Sequence, residues 1–480
     1  MNYRRISSVL VPGVLCAFSL LAAAAPPGDI VKARQKFFGI ENVDDNGNVK
    51  GDKVIFSWAT NTTYVVSIQG RIVVLDSYIN RPELPTTPID KRRSPVLPQD
   101  FVDVRPEAIF LGHGHGDHAD NAAFVAKWSG ATIYASPETC DVMQQDVVRM
   151  FSDPNAVNGG ARIIPDGNAV NCVGVVPRGS RPGEYDDKTG QSTARRIGAL
   201  DPQVCILAFK FVHSGTAPVD TSFAHTALSN LGDPRYSGGT LSAPTPPAPR
   251  TYPAMFPALT SFTPPANVAN AVPGQMNTTT TGFGSPAGNP AGAIDIVYQF
   301  VLRSGNKFAF FWANSAGPAT EGITSAAANP IGRTDPDLVT LAEYTNPGTD
   351  PAKITLAKNI GAGLYALMDT LPQTDVLLGS IVSLGATNNQ QRDIIKVTQH
   401  LKPKVYYPGH LTDVAEAGSA LYHKINWRET ATNMGFPQSQ WPEFRLLVDP
   451  NDFFVPQVFD PNDKRWSKQD RSVPDLCRGK

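Results

Sequence analysis

Ala108-Ile109-Phe110-Leu111-Gly112-His113-Gly114-His115-Gly116-Asp117-His118 is the stretch whose reading decides the fold. Four apolar residues read as a short buried strand. The chain leaves that strand into a loop carrying three imidazoles and one carboxylate within six residues. His113 and His115 stand two apart, so in extended backbone their rings point to the same side. Gly112, Gly114 and Gly116 free the turn, which lets Asp117 and His118 swing toward the same point. Histidine is scarce elsewhere, with eight in 480 residues, so three in six positions is a concentrated donor set. Imidazole and carboxylate ligands suit Zn2+, one ion or two, with iron or manganese as further candidates.

Upstream of this string, Val54–Trp58, Tyr64–Ile68 and Arg71–Asp76 are β-branched runs separated by Thr60-Asn61-Thr62 and by Gln69-Gly70. Such runs bounded by turn residues predict strands of a buried sheet. Downstream, a helical pattern at Asn121–Trp128 and a strand at Thr132–Ala135 complete a strand–loop–helix–strand order, which predicts α/β architecture. Further strands are expected at Val204–Val212, Ile294–Leu302, Lys307–Ala313, Asp375–Leu378 and Val405–Tyr407, with helices at Pro351–Met368 and Gln390–His400. Twelve prolines fall between Gly232 and Gly292, amid Thr, Ser, Ala and Gly and with little charge. Proline has no N–H to donate, so residues 214–292 are expected as a long insertion without helix or ladder. Residues 436–480 are polar and rich in Pro and Asp, and are expected to wrap the surface.

The string resembles the HxHxDH signature of the metallo-β-lactamase superfamily, a specific motif where it directly follows an apolar strand. The Trp58…Asn61-Thr62-Thr63 segment and Leu75-Asp76 also look like that family's opening strands. The resemblance spans about residues 50–415, leaving the 214–292 insertion outside it. It implies a four-layer αβ/βα sandwich with metal at the sheet edges. It also asks for a third histidine, a bridging aspartate and a final histidine. His213 fits the first, closing a strand before Ser214-Gly215, with His225 as competitor. His410 fits the last, after Pro408-Gly409. His400 and His423 lie in polar, helix-like contexts that read as surface. The bridging position falls on Asn314, in Phe310-Phe311-Trp312-Ala313-Asn314-Ser315-Ala316-Gly317. An amide lacks the charge that offsets repulsion between two dications, which leaves three outcomes open: one tight metal, a weaker pair, or a substitute carboxylate such as Glu321 or Asp295. The resemblance thus implies a first site of His113, His115 and His213 and a second of Asp117, His118 and His410.

Zinc held this way would activate water near neutral pH for attack on a carbonyl or phosphoryl centre, with Asp117 as proton acceptor where the second site holds no zinc. The expected activity is hydrolysis of an ester, lactone or related acyl bond in a small-molecule substrate. Alternatives are phosphodiester cleavage on the same centre, sulfur oxidation by a single iron, and a degenerate binding fold. No Gly-x-Ser-x-Gly elbow and no phosphate-cradling glycine loop competes for catalysis. The low charge of the insertion would suit a lid over an apolar substrate.

Bulk composition narrows the partners. Lys and Arg number 42 against 43 Asp and Glu, which is not the basic footprint of a nucleic-acid binder. Residues 1–25 read as a secretory signal: Arg4 and Arg5, an apolar run from Val9 to Leu21, then Ala22 to Ala25. That run is short for a membrane span of about 20 residues. A mature domain over 26–435, periplasmic or secreted, is therefore expected. Cys140, Cys172, Cys205 and Cys477 remain after cleavage, and in an oxidising compartment they allow one or two disulfides, in any of three full pairings.

Overall fold

Val54, Phe56 and Trp58 alternate with Ile55 and Ala59 along one strand, and the two sets of side chains enter two different cores. A strand covered on both faces has no polar side to show, which is why it reads as a continuous apolar run. The structure is a computed structural model. It describes residues 27–78, 96–119, 121–152, 164–184, 191–225, 294–324, 337–380, 391–410, 420–447, 454–466 and the short pieces 157–158, 161–162, 335, 389, 452 and 477. The expected signal segment and most of the 214–292 insertion lie outside the described residues.

Fourteen strands make two sheets among these residues. The first half of the chain contributes β1 (Val54–Thr60), β2 (Thr63–Ile68), β3 (Arg71–Leu75), β4 (Ala108–Phe110), β5 (Thr132–Ala135) and β6 (Cys172–Gly174). The second contributes β7 (Arg195–Ile197), β8 (Val204–Lys210), β9 (Ile296–Leu302), β10 (Ala309–Ala313), β11 (Val376–Ser380), β12 (Val405–Gly409), β13 (Glu443–Phe444) and β14 (Gln457–Phe459). One sheet runs β14-β1-β2-β3-β4-β5-β6, the other β13-β12-β11-β10-β9-β8-β7. In each, antiparallel pairing gives way to parallel pairing at a central strand, β3 in one and β10 in the other.

The layers follow from the apolar faces. On the outer side of the first sheet, Phe37 of α1 (Pro27–Phe38), Phe101 of α2 (Pro98–Asp103), Val125 of α4 (Ala122–Ser129) and Met143 of α5 (Pro137–Ser152) share a core with Val65, Val74, Ile109 and Ile133. The short α3 (Gly116–Ala119) precedes α4. Between the sheets, Phe56, Val66 and Phe110 meet Tyr298, Phe300 and Phe310. Phe56 stands edge-on to Phe310 at 5.0 Å, and Phe300 stacks on Phe310 at 4.5 Å. Outside the second sheet, Leu364 of α6 (Pro351–Thr370), Ile395 of α7 (Arg392–Leu401) and Trp427 of α8 (Ala420–Asn433) cover Leu207, Phe209 and Phe311. Helices, sheet, sheet, helices: this is the four-layer αβ/βα sandwich that the resemblance implied.

Beyond residue 435 the structure adds more than surface wrapping. β13 extends the second sheet beside β12, while β14 crosses to pair with β1 of the first. Trp466 is buried in the core between the sheets, edge-on to Phe308. Disulfides join Cys140 to Cys172 and Cys205 to Cys477, one of the three full pairings open to the sequence. The second ties the end of the chain to β8. No helix among the described residues is long and apolar enough to cross a membrane.

Candidate metal centre

Parallel strands end at one edge of a sheet, so whatever follows them gathers there. Asp76 follows β3, the histidine loop follows β4, Asn314 follows β10 and His410 follows β12. β8 is antiparallel to β9, which is antiparallel to β10, so β8 also finishes at this edge, and His213 stands three residues past it. Asp76 and His410 carry positive φ, 54° and 63°, which non-glycine residues adopt only when surroundings enforce it.

His113, His115 and His213 form one group, with ligand atoms all within 4.8 Å of one another. His213 lies with Nδ1 2.7 Å from the carbonyl oxygen of Ser214. A carbonyl only accepts, so this ring donates from Nδ1, and its Nε2 faces Nε2 of His113, 3.3 Å away. His113 meets Oδ1 of Asn314 through its own Nδ1 at 3.1 Å. Burial, followed by the neighbouring rings of His118, His213 and His115, holds His113 well below the ordinary imidazole pKa. With Nδ1 of each ring set against an acceptor, the two Nε2 atoms are left face to face. Gly317 is required behind His213, because a Cβ there would lie 2.0 Å from the His213 carbonyl oxygen.

His118 and His410 form a second pair, their Nε2 atoms 3.2 Å apart. Nδ1 of His118 lies 2.8 Å from Oδ2 of Asp76. The same carboxylate accepts from the Thr62 hydroxyl at 2.7 Å, the Gly112 N–H at 3.2 Å and the Asn314 amide at 3.0 and 3.1 Å. Burial raises the pKa of Asp76, and His118, Asn314 and Thr62 work against that rise. Gly112 is needed for the approach of Asn314: a Cβ at 112 would stand 2.1 Å from its Nδ2. That close approach, rather than loop freedom alone, is what the glycine permits.

Asn314, at the position where the resemblance asks for a bridging carboxylate, places its amide against the Nδ1 edges of His113 and His118. Those edges lie opposite the Nε2 atoms that face His213 and His410. Glu321, a candidate substitute, is committed elsewhere: both its oxygens accept from buried Arg392 at 2.7 Å. Asp295, the other, is fully buried with Oδ1 3.9 Å from His113 Nδ1. Burial pushes its carboxyl well above the usual range. His225 hydrogen-bonds the carbonyl of Asp220 and packs on Phe223, outside the histidine group. His400 stacks on Tyr365 and pairs with Asp369. The backbone of Asp117 lies in α3, but its side chain, like that of His423, is outside the described residues. Asp76 is the residue whose part the sequence reading missed. The available signal was an aspartate closing an apolar strand at the same sheet edge as the histidines.

A histidine loop of this spacing at the parallel edge of an αβ/βα sandwich is the arrangement that the resemblance to the metallo-β-lactamase superfamily implied, and the fold and the histidine group of this chain match it. No family model matches the chain. Among curated proteins it is similar to a UPF0173 metal-dependent hydrolase of Pyrobaculum neutrophilum, 26% identical over 144 residues, 29% of this chain and 59% of the relative. A UPF0173 metal-dependent hydrolase of Halorubrum lacusprofundi is 27% identical over 175 residues, 36% of this chain and 60% of the relative. The chain thus spans about three-fifths of the length of these relatives. Among solved structures, Igni18, a metallo hydrolase of Ignicoccus hospitalis, aligns with a TM-score of 0.37 and 10% identity over 85% of this chain and 98% of that one.

Proposed function

We propose that the chain is a zinc-dependent hydrolase that cleaves an ester, lactone or related acyl bond of a small-molecule substrate. The observation that carries this reading is the pair of facing Nε2 atoms of His113 and His213, with His115 beside them. Without a cation, those lone pairs would repel. Their 3.3 Å separation matches the edge of a tetrahedron with metal–nitrogen bonds of about 2.0–2.1 Å. His118 and His410, at 3.2 Å, support a second site that Asp117 would complete. When bound, a divalent cation there supplies Lewis-acid activation of water near neutral pH.

The chain's own groups do the rest. Asp76 and the Ser214 carbonyl hold the Nδ1 protons of His118 and His213, fixing the tautomer that presents Nε2. With the second site empty, Asp117 is the proposed acceptor of the water's proton. The names of the relatives, metal-dependent hydrolases, support the reaction class. Export after removal of residues 1–25 is the proposed route, supported by two disulfides, which persist in oxidising compartments.

The test is elemental analysis of the purified protein followed by turnover against ester, lactone, phosphodiester and β-lactam panels with zinc supplied. Stoichiometric zinc with acyl cleavage is expected. Stoichiometric iron, or turnover of phosphodiesters alone, would overturn the assignment.

A further inference from the structure

Every ligand proposed above except Asp117 is a neutral imidazole, and Asn314 is neutral as well. Cations held at such a site need negative charge nearby, because the low-dielectric interior screens them poorly. Two carboxylates are fully buried beside the rings, Asp76 and Asp295. Asp76 is saturated by His118, Thr62, Asn314 and the Gly112 N–H. Asp295 differs. Neither of its oxygens has a hydrogen-bond partner among the described residues, although buried polar groups are ordinarily hydrogen-bonded. Its Oδ1 lies 3.9 Å from Nδ1 of His113, on the side of the ring away from His213.

The backbone fixes Asp295 between the two segments that carry these ligands. Its carbonyl accepts from Phe211 N–H at 2.9 Å, two residues before His213. The next residue, Ile296, donates to the carbonyl of Gly112 at 2.6 Å, one residue before His113. A small rotation of the His113 ring would carry its Nδ1–H from the Asn314 amide toward the Asp295 carboxylate.

We propose that Asp295 is a positioning residue for the metal centre, taking the Nδ1–H of His113 when a cation is bound and supplying the negative charge that position 314 lacks. The inference rests on the metal-centre reading given above. A carboxylate behind a ligating imidazole raises its basicity, and its loss weakens metal binding by about 10–100-fold.

The full-length mature protein, stripped with a chelator, is titrated with Zn2+ against a chromophoric competitor, alongside Asp295→Asn and Asp295→Ser. The melting temperature of each metal-free protein is recorded, as is the visible spectrum after Co2+ loading. The expected result is a dissociation constant raised about 10–100-fold in both variants, a changed Co2+ spectrum and metal-free melting no lower than wild type. The last point follows because neither Asp295 oxygen has a hydrogen-bond partner among the described residues, so its replacement breaks no hydrogen bond there in the empty site. If wild type binds Zn2+ and both variants bind it equally tightly, the inference fails while the metal centre stands. If both variants melt lower or do not fold, Asp295 serves the scaffold and the inference is overturned. If wild type takes up no metal, the metal-centre reading itself fails.

Discussion

Two sheets with the same pairing plan carry very different loops. Read from the edge at β14 or at β7, each shows three antiparallel pairings followed by three parallel ones. In the first sheet β1 turns into β2 through Asn61 and Thr62 alone, whereas in the second the matching hairpin, β8 to β9, spans residues 211–295. The first sheet gives the site one compact string after β4. The second gives it single residues from separate strand ends, His213, Asn314 and His410. The halves meet at their central strands, where Asp76, just past β3, accepts from Asn314, just past β10. The scaffold is near-symmetric and the chemistry is not. Pairing needs only backbone and apolar faces, while a ligand set needs particular atoms.

The most severe way to break this comparison is to remove one imidazole from each half. His118→Ala and His213→Ala are both expected to lower turnover by more than about a hundredfold, the ceiling for groups that merely orient a ligand. Folding should survive in both, as read by circular dichroism. Metal content separates them, because His118→Ala should lose the ion that His118 would share with His410, and His213→Ala the ion that His213 would share with His113 and His115. Equal loss from both sites would show a single shared ion.

Gly112→Ala attacks the seam itself. The new Cβ would stand 2.1 Å from Asn314 Nδ2, so the amide must leave its contact with Asp76. Destabilisation of about 3 kcal/mol, the upper range for overpacking a buried site, is expected in urea denaturation. Unchanged stability would mean that Asn314 has another place to go.

Asn314→Asp sharpens the comparison by making the two halves alike. Asp76 would lose an N–H donor and face a second carboxylate. The metal-free protein should lose about 1–3 kcal/mol, the cost of stranding a buried polar group. Zn2+ affinity should rise, since the new charge favours a dication. The two effects have opposite signs, so thermal melts with zinc and with chelator decide the matter together.

The sequence showed some of this and hid the rest for physical reasons. Strands such as Val54–Trp58 and Thr132–Ala135 were legible because burial on both faces forces an apolar run. The histidine string was legible because its donors are contiguous. Asp76 was not, because its role depends on Thr62, His118 and Asn314 arriving from three other segments. The contacts of the Asn314 amide were hidden for a related reason: the end of β10 fixes which residue follows the strand, but not which edge of an imidazole it meets. β13 and β14 were missed because two- and three-residue edge strands carry too short a pattern to separate from a polar tail. The pairing of Cys205 with Cys477 brings together residues 272 apart in sequence, a proximity that only the folded sheet creates.

The smallest expected effect lies at the opposite end of the strands. Glu107 precedes β4 and Asp375 precedes β11, and each donates its N–H to the neighbouring strand, to Ile72 and Ala309. In the first half Glu107 reaches solvent and accepts from Arg71 at 2.7 Å. In the second, Asp375 is 1% exposed, its Oδ2 accepts from Ala309 N–H, and Lys404 stays 3.7 Å away. Burial pushes the Asp375 carboxyl up to about 6, against the partial opposition of the Ala309 N–H and Lys404. A carboxyl whose folded pKa is raised contributes stability that is full below the unfolded value near 3.9, and that contribution is lost as pH rises through the folded value. Asp375→Asn keeps an acceptor for Ala309 and removes the titration. The variant should therefore match wild type near pH 4 and exceed it by roughly 2 kcal/mol at pH 8, as read by urea denaturation at both pH values. Glu107→Gln, at an exposed ion pair, should change stability by no more than about 1 kcal/mol. A pH-independent difference at Asp375 would mean that Lys404 closes on it in solution, and the two halves would then treat this acid alike.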